Sequence, residues 1–481
     1  MVAHPRKAPY APAQRGCVGP HVDSTVVTRD EELEYQQRLL VHESAIQSRW
    51  PESHIEPDLT RIRMLVDLLG DPQRCAPVIH ITGTNGKTST ARMMESLLRA
   101  FGLRPGVFTS PHLHSLSERI RVDGDAVDVV RLVDAFDQLV PYLDMVDAKL
   151  FAEGRSALTY FEVVTAVAFS VFADAPVDVM VLEVGLGGRW DATNVADGTV
   201  AVITPIALDH QRYLGSAVEE IAQEKAGIIK ADATTIIAVQ SPDVAQVLLR
   251  ACAEAGSEVA REGIEFGVIN REVAVGGQML ILQGLGGTYD EIFLPLLGRH
   301  QAHNAAVALA GVEAFLGGGE QSLLVDTVRS GFADATSPGR LEVVKRAPTV
   351  IVDAAHNPAG AAALASALEE DFGFGYLVGV VAVMGDKDFD GLLAELEATM
   401  HDIVLTVNSS TRSADVDDLA RTAAGIFGDE RVHVAQRLDE ALALAVELVD
   451  DADPDQAGAT GIIVTGSVVT VADARLLLGA P

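Results

Sequence analysis

The stretch HITGTNGKTST at residues 80–90 lies between the apolar residues of APVI and the helix-like sequence ARMMESLLRAFG. A strand, a glycine turn and a lysine at a helix start form a phosphate-binding arrangement, because backbone N–H groups and the helix N-terminus point at the anion. Lys87 adds a full positive charge, and a hydroxyl of Thr88 or Ser89 is available to Mg²⁺, with the choice left open. The predicted nucleotide-binding residues are Gly83, Thr84, Asn85, Gly86, Lys87, Thr88 and Ser89.

The glycine spacing of this turn narrows the prediction. The general P-loop pattern has a glycine five residues before the second one, and that position is Ile81 here. The turn therefore matches a shorter GTxGKT form. A plain glycine turn is the alternative, but a lysine and two hydroxyls in register with the helix start favour phosphate binding.

Short β-branched runs alternate with helical periodicity around this turn. Buried strands are predicted at VIHIT, GVFTS, DVMVLEV, TVAVIT and TTIIAV, with helices at TARMMESLLRAF, YFEVVTAVAFSVF and VEEIAQEKAGII. This alternation predicts an α/β domain with a mainly parallel, P-loop-type sheet. Two amphipathic helices are predicted between residues 31 and 69, hairpins over 257–296, and a helix over 300–316.

A second alternation follows SPGR at residues 337–340, with strands at TVIVDAA, YLVGVVAVM, DIVLTV and GIIVTG. It predicts a smaller, Rossmann-like α/β domain. We expect a flexible tail over residues 1–25, an ATP-binding domain over 26–335 and a C-terminal ligase domain over 336–481.

Composition limits the classes of partner. Lys and Arg number 36 against 68 Asp and Glu, so the formal charge of −32 disfavours nucleic acid and anionic membranes. The longest apolar runs reach about half of a membrane-spanning helix, and the N-terminus has no continuous apolar segment typical of a signal peptide. Cys17, Cys75 and Cys252 form no CxxC pair, which favours structural thiols in a reducing cytoplasm.

Further segments, together with GTNGKTS, resemble the folylpolyglutamate synthase/dihydrofolate synthase branch of the Mur ligase superfamily. In order, these are TSPHL, LTYFE, LEVGLGGRWDATNV, a DH pair at 209–210, EKAGIIK, GRHQAHNAAVAL, SPGR, VDAAHNP and GDKD, and with the loop they span residues 80–388. The chain departs from the pattern at Thr88, where the branch often has glycine, and at Ala354, which replaces the glycine of DGAHNP. GSVVTVADAR at 466–475 follows the ending of the family only loosely.

The resemblance implies ATP-dependent ligation of L-glutamate to dihydropteroate, to reduced folates or to both, through an acyl phosphate. It implies two Mg²⁺ ions, with Glu183 and His210 as ligands and Ser110 as a third, although Ser110 also suits a turn. Lys225 would be carbamylated by CO₂ to hold the second ion; pairing with phosphate or a surface position are the alternatives. The predicted catalytic set is Lys87, Glu183, His210 and Lys225.

The resemblance also gives ATP contacts from the second domain. These would come from Asn304, Arg340, Asp353 and His356. Less specific candidates are Lys387, which could instead be an exposed turn residue; Glu162 and Phe161, which could border the folate or belong to the core; and Arg119 and Arg121, which could meet substrate carboxylates or form a solvated hairpin.

Three other functions remain as alternatives. A Mur-type peptidoglycan ligase carries a nucleotide-sugar domain ahead of the loop, whereas this chain has about 80 residues there that predict helices. A P-loop ATPase without ligase activity would not need Glu183, His210 and Lys225 as a set. A non-catalytic binding protein would not need the intact phosphate and metal residues. We expect a monomeric cytoplasmic enzyme whose partners are ATP, L-glutamate and a folate.

Overall fold

The computed structural model describes residues 29–49, 56–452 and 459–480. The predicted tail at 1–25, with Cys17, lies outside the described residues. Cys75 and Cys252 are free thiols. In the described part of the chain, no helix is both long and apolar enough to cross a bilayer.

Helices follow most of the periodic segments. The α-helices of the described residues are α1 (Arg29–Arg49), α2 (Thr60–Leu68), α3 (Lys87–Ala100), α4 (Val129–Ala152), α5 (Tyr160–Asp174), α6 (Gln211–Leu214), α7 (Val218–Lys225), α8 (Pro242–Ala255), α9 (Arg299–Gly317), α10 (Val325–Ala333), α11 (Pro358–Asp371), α12 (Phe389–Leu396), α13 (Val416–Phe427), α14 (Leu438–Asp451) and α15 (Val468–Leu477). The helices α4, α6, α8, α10, α13 and α14 were not predicted from the sequence.

The strands of the same residues are β1 (Val78–Thr82), β2 (Pro105–Phe108), β3 (Ile120–Val122), β4 (Asp125–Ala126), β5 (Val179–Glu183), β6 (Gly198–Ile203), β7 (Thr234–Ile237), β8 (Glu258–Arg261), β9 (Gly267–Ala274), β10 (Gly277–Gln283), β11 (Thr288–Leu294), β12 (Glu342–Arg346), β13 (Thr349–Val352), β14 (Tyr376–Val381), β15 (Asp402–Leu405), β16 (Val432–Val434) and β17 (Thr460–Thr465). The predicted strands at VIHIT, GVFTS, DVMVLEV, TVAVIT and TTIIAV are confirmed as β1, β2, β5, β6 and β7.

The larger sheet has the strand order β4–β3–β2–β5–β1–β6–β7–β8, and its pairs from β2 to β8 are parallel. Strand β1 is buried along its whole length. Residues of α3 and α9 cover one face of the sheet, and residues of α4 and α5 cover the other. Because both faces are covered, the central strands are continuous apolar runs rather than alternating ones.

The predicted hairpin region is only partly a hairpin. Strands β9 to β11 form an antiparallel sheet of their own, whereas β8 joins the edge of the larger sheet in parallel with β7. The apolar side chains of β10 and β11 then join the core under α9.

Strand β1 lies between β5 and β6, so three loops leave the same edge of the sheet close together. This edge carries the turn after β1, Glu183 at the end of β5 and the segment after β6. Ligands bind open α/β sheets at such a crevice, beyond the carboxyl ends of the strands.

The second parallel sheet has the order β12–β13–β17–β14–β15–β16, antiparallel only at β12. The predicted domain break near residue 335 falls between α10 and β12. The residues that follow β13, β14 and β17 line the same cavity as the turn after β1. The carboxyl edges of the two sheets therefore face each other across one space. This confirms the predicted fold class, a mainly parallel α/β domain followed in the chain by a smaller α/β domain.

Candidate active site

The turn after β1 is fixed by two glycines. A Cβ atom on Gly83 would lie 1.9 Å from Thr204 Oγ1, and one on Gly86 would lie 2.5 Å from Asn304 Oδ1. Gly86 also has a φ of +86°, which L-residues rarely adopt, at the N-cap of α3. The loop backbone is therefore pressed against the end of β6 and against α9.

A cavity of about 820 Å³ opens above this loop and is lined by both domains. All of the residues predicted to bind the nucleotide or the metal ions line it: Gly83, Thr84, Asn85, Gly86, Lys87, Thr88, Ser89, Ser110, Glu183, His210, Lys225, Asn304, Arg340, Asp353 and His356. The structure thus brings together residues that are up to 273 positions apart in the chain (83 to 356).

Two lysines bind the backbone of the loop. Lys87 Nζ donates to the carbonyl oxygens of Gly83, at 3.1 Å, and Thr84, at 3.0 Å. Lys225 Nζ donates to the same Gly83 oxygen at 2.7 Å. Burial lowers the pKa of both ammonium groups, and the charge of Lys87 contributes to lowering the pKa of Lys225 to about 7. In a chain of net charge −32, these cations are the local donors that an anionic ligand requires.

The two hydroxyls at the start of α3 point to different places. Thr88 Oγ1 donates to both carboxylate oxygens of Glu183, at 3.0 and 2.9 Å. Ser89 Oγ lies 3.0 Å from Ser337 Oγ and accepts from Gln301 Nε2 at 3.3 Å. The hydroxyl beside the buried carboxylate is therefore that of Thr88.

Glu183 is a buried carboxylate, 1% exposed. It accepts hydrogen bonds from the Thr88 hydroxyl and from the Ser110 backbone N–H, at 3.3 Å, rather than from a basic side chain. Burial raises the pKa of Glu183 to about 7, against the opposing charge of Lys87. A buried carboxylate that bonds to a hydroxyl and a backbone N–H rather than to a basic side chain suits Mg²⁺, which takes oxygen ligands from one or two carboxylates and from substrate phosphates.

His210 lies in the segment after β6, in a left-handed conformation with φ of +51°. Desolvation of its partly exposed ring lowers its pKa below the ordinary value despite the opposing charge of Asp209, which favours the neutral imidazole. A neutral imidazole has a ring nitrogen free to bind a metal. Among the described residues, no three His, Cys, Asp or Glu side chains converge closely enough to hold an ion by themselves.

The C-terminal domain contributes Asp353 and His356 from the loop after β13. The carboxylate of Asp353 accepts from the backbone N–H of Leu341, at 2.8 Å, and of Ala355, at 2.9 Å. His356 Nδ1 lies 3.0 Å from the Ala354 oxygen. Asn304 was expected to come from the second domain, but it lies on α9 of the first domain beside Gly86, where its Nδ2 donates to Gln301 Oε1 at 3.1 Å.

Three of the less specific site residues predicted from the sequence line the cavity. Lys387 is not an exposed turn residue: it lines the cavity and its Nζ lies 2.5 Å from Asp209 Oδ1. Phe161 and Glu162 also line the cavity. The Glu162 carboxylate binds Arg61 at 3.0 Å and caps the start of α5, so it also has a structural role.

Arg119 and Arg121 do not line the cavity, and the prediction that they meet substrate carboxylates there is wrong for this structure. Arg121 Nε binds both carboxylate oxygens of Glu95 at 3.0 Å. Arg119 is 1% exposed and donates to His112 Nδ1 at 2.9 Å. The alternative of a solvated hairpin also fails, because both guanidinium groups already have partners inside the domain.

The sequence did not single out Asp209, Asn357 or Asp191, although all three fall inside quoted motifs. Asp209 and Asp191 line the cavity, and Asn357 bonds with the phosphate loop. Their position in the sequence could have indicated Asp191 and Asp209. They follow strands β5 and β6, and residues after parallel strands lie at the ligand-binding edge of such a sheet.

Two family models match the chain. Residues 81–312 match the Mur ligase middle domain, and residues 339–467 match the Mur ligase glutamate ligase domain. The dihydrofolate synthase/folylpolyglutamate synthase of Mycobacterium tuberculosis is 53% identical over 457 residues, covering 92% of this chain and 94% of that protein.

Solved structures agree with these matches. The structure of Mycobacterium tuberculosis folylpolyglutamate synthase complexed with ADP superposes with a TM-score of 0.89 at 52% identity, covering 92% of this chain and 99% of that one. Escherichia coli FolC in complex with DHPP and ADP gives a TM-score of 0.78 at 31% identity, covering 92% and 98%.

Proposed function

Because this chain belongs to the folylpolyglutamate synthase/dihydrofolate synthase family of Mur ligases, we propose that the cavity above the phosphate loop ligates L-glutamate both to dihydropteroate and to reduced folates. The reaction of the family is an ATP-dependent ligation of glutamate. One observation carries the proposal for this chain. The Thr88 hydroxyl joins the phosphate loop to the buried Glu183 carboxylate, in a cavity that the C-terminal domain completes.

Amide formation from a carboxylate requires activation, which we assign to transfer of the γ-phosphoryl group of ATP. The carboxylate oxygen of the folate attacks the γ-phosphorus and ADP leaves. The neutral amine nitrogen of glutamate then attacks the acyl carbon to form the C–N bond, the C–O bond to the phosphoryl group breaks, and inorganic phosphate and the proton of the nitrogen are released. Phosphoryl transfer depends mainly on positioning and on neutralising oxygen charge.

The phosphate loop does the positioning. Its backbone N–H groups and Lys87 hold the β- and γ-phosphates at the start of α3. Arg340, Asp353 and His356 approach the nucleotide from the wall formed by the C-terminal domain, and Asn304 approaches it from α9 beside Gly86. Because catalytic groups come from both domains, the reacting centre is complete only when the domains are together, which keeps water from the acyl phosphate.

Thr88 and Glu183 are the side chains best placed to hold Mg²⁺, with Ser110 and His210 nearby in the same cavity. We assign the metal-binding hydroxyl of the loop to Thr88 and not to Ser89, whose hydroxyl is used between Ser337 and Gln301. When bound, Mg²⁺ would neutralise charge on the phosphate oxygens.

Lys225 is suited to carbamylation. CO₂ reacts with a neutral amine, and a pKa of about 7 leaves a large neutral fraction at physiological pH. A carbamylated Nζ keeps one N–H, which can still donate to the Gly83 oxygen that Lys225 now binds at 2.7 Å. The new carboxylate would offset the charge of Lys87 and add oxygen ligands for a second ion.

Product analysis tests the function directly. The protein is incubated with Mg-ATP and L-glutamate, and with either dihydropteroate or tetrahydrofolate, and the folates are weighed by mass spectrometry. We expect one added glutamate on dihydropteroate and one or more on tetrahydrofolate. A gain on only one substrate would reject the dual activity, and ATP hydrolysis without any gain would favour a P-loop ATPase.

Two Lys225 variants distinguish carbamylation from phosphate pairing, since both hypotheses predict a loss in Lys225→Ala but only phosphate pairing predicts an active Lys225→Arg enzyme. Lys225→Ala is expected to lose about 10²- to 10³-fold in kcat and to recover part of it with added acetate, since acetate supplies the missing carboxylate. Lys225→Arg keeps the positive charge but cannot be carbamylated, so it should be as inactive as the alanine variant.

The covalent group itself is read by ¹³C NMR of protein equilibrated with ¹³C-bicarbonate, with Lys225→Ala as the blank. Lys230→Ala, a half-buried lysine of the same segment that does not line the cavity, is the matched control and should keep both signal and activity. An active Lys225→Arg enzyme without a carbamate signal would assign Lys225 to phosphate pairing.

A further inference from the structure

Asp209 is a meeting point of the two domains at the cavity itself. It lies in the segment between β6 and α6, directly before His210, and its side chain is 8% exposed. Three residues of the C-terminal domain reach its carboxylate: Lys387 Nζ at 2.5 Å from Oδ1, and Asn357 Nδ2 at 3.2 Å and His356 Nε2 at 3.4 Å from Oδ2.

Asn357 extends the contact to the phosphate loop. Its amide exchanges two hydrogen bonds with the amide of Asn85, each 3.1 Å long. Its oxygen also accepts from the Gly360 N–H at 2.8 Å and so caps α11. The phosphate loop, the His210 segment and the start of α11 are therefore tied together through Asp209 and Asn357.

The charges around Asp209 explain why a carboxylate is needed here. Lys387 Nζ also lies 3.4 Å from His210 Nε2, and its side chain is only 12% exposed. Without the carboxylate, a nearly buried ammonium would stand unpaired beside that imidazole, which is costly. Burial would raise the pKa of Asp209, but the hydrogen bond from His356 and the neighbouring cations hold it well below its ordinary value.

Other contacts between the domains have different roles. Ser89 and Ser337 are joined behind the loop, and Arg271 on β9 pairs with Glu370 at 3.0 Å on the far side of α11. Neither contact includes a residue from the loop that carries His210. The ties through Asp209 therefore link the position of His210 to the position of the C-terminal domain.

We propose that Asp209 is a positioning residue that couples domain closure to the catalytic centre, by holding the His210 segment and Lys387 in one geometry. It acts through Lys387, His356 and Asn357 and need not touch the reacting atoms. The inference rests on the proposed ligase function for its kinetic consequence, but its effect on domain arrangement can be measured without any ligation.

The kinetic test uses Asp209→Asn, which keeps the shape and one acceptor oxygen, beside Asp209→Ala and Lys387→Ala. We expect Asp209→Ala to lower kcat about 10²-fold while the KM for ATP changes less than about threefold, because assembly of the site and not phosphate binding is impaired. The kcat of Asp209→Asn should fall between those of this variant and the wild type.

The loss of kcat in the Asp209→Ala/Lys387→Ala double variant should be at least about tenfold smaller than the product of the losses in the two single variants, since the two residues act as a unit.

The structural test is small-angle X-ray scattering of the full-length protein without substrates. We expect a larger radius of gyration for Asp209→Ala than for the wild type. Asp402→Asn, which breaks an Asp–His pair of 2.7 Å inside the C-terminal domain and away from the cavity, is the matched control and should change neither scattering nor kcat.

Each failure has its own signature. A wild type that does not ligate glutamate would reject the proposed function, and the scattering comparison would still judge the coupling. A wild type that ligates, with Asp209→Ala unchanged in scattering and within threefold in kcat, would overturn the inference about Asp209. Equal losses of kcat in Asp209→Ala and Asp402→Asn would reduce its role to general stability.

Discussion

Replacing Lys87 by methionine is expected to lower kcat/KM for ATP by about 10³-fold or more, a loss of about 4 kcal/mol of transition-state stabilisation. Lys87 supplies the full charge of the loop, and its Nζ is held over Gly83 and Thr84 by bonds of 3.1 and 3.0 Å. The backbone N–H groups that remain carry only partial charges. In a protein of net charge −32, they would meet a polyphosphate without the nearest cation.

Ligation rates at saturating folate and glutamate, with Mg-ATP varied, give the kinetic loss, and calorimetric titration with ADP gives the binding loss. Lys87→Arg should not rescue either, because the wider guanidinium does not fit between two carbonyl oxygens that one ammonium now binds. Lys230→Met is the control outside the cavity. A Lys87→Met enzyme within tenfold of the wild type would remove Lys87 from the catalytic set.

The stability of Lys87→Met separates a local loss from unfolding. Burial lowers the pKa of Lys87, so the folded state already disfavours its charged form. Methionine removes that cost, and we expect a melting temperature at least equal to that of the wild type at pH 7. A large drop in melting temperature would mean that the ammonium holds the loop together, and the kinetic loss would then have a second cause.

The phosphate loop could be predicted from the sequence because its determinants are local. A strand, two glycines and a lysine within ten residues specify the turn with little help from the rest of the chain. The choice between Thr88 and Ser89 could not be predicted. Adjacent helical residues point about 100° apart, and only the positions of Glu183 and Ser337, 95 and 248 residues away, decide which hydroxyl bonds to the buried carboxylate.

The role of Asp209 escaped prediction for the same reason. Its partners Asn357 and Lys387 are 148 and 178 residues away, on a different sheet. The predictions for Arg121 were wrong because its partner is also distant in the chain. Its sequence pattern is typical of an exposed hairpin, but its guanidinium pairs with Glu95 on α3 inside the domain. Motifs located the residues of the site, whereas the packing of two domains decided what each side chain contacts.

Replacing Glu183 by glutamine is expected to lower kcat about 10²- to 10³-fold and at the same time to stabilise the ligand-free protein above pH 7. The kinetic loss follows because the neutral amide cannot provide the buried negative charge that the Thr88 hydroxyl now accompanies. Glu313→Gln is the control, since Glu313 is also buried with a raised pKa but binds Tyr289 away from the cavity. It should leave the ligation rate unchanged.

The gain in stability has a definite pH dependence. The pKa of Glu183 rises from 4.5 to about 7 on folding, so the folded state binds this proton more tightly than the unfolded state does. The free energy of unfolding of the wild type therefore loses this contribution as the pH rises from about 4.5 to about 7. Glutamine has no proton to lose, so the two melting temperatures should converge near pH 4.5 and separate above it, measured in EDTA without nucleotide.

Adding Mg-ADP should then raise the melting temperature of the wild type more than that of Glu183→Gln, because only the wild type has the carboxylate that holds the metal. A variant that loses activity but also melts lower at pH 8 would show that Glu183 is structural, whereas a loss of activity with higher stability is what a buried metal-binding carboxylate requires.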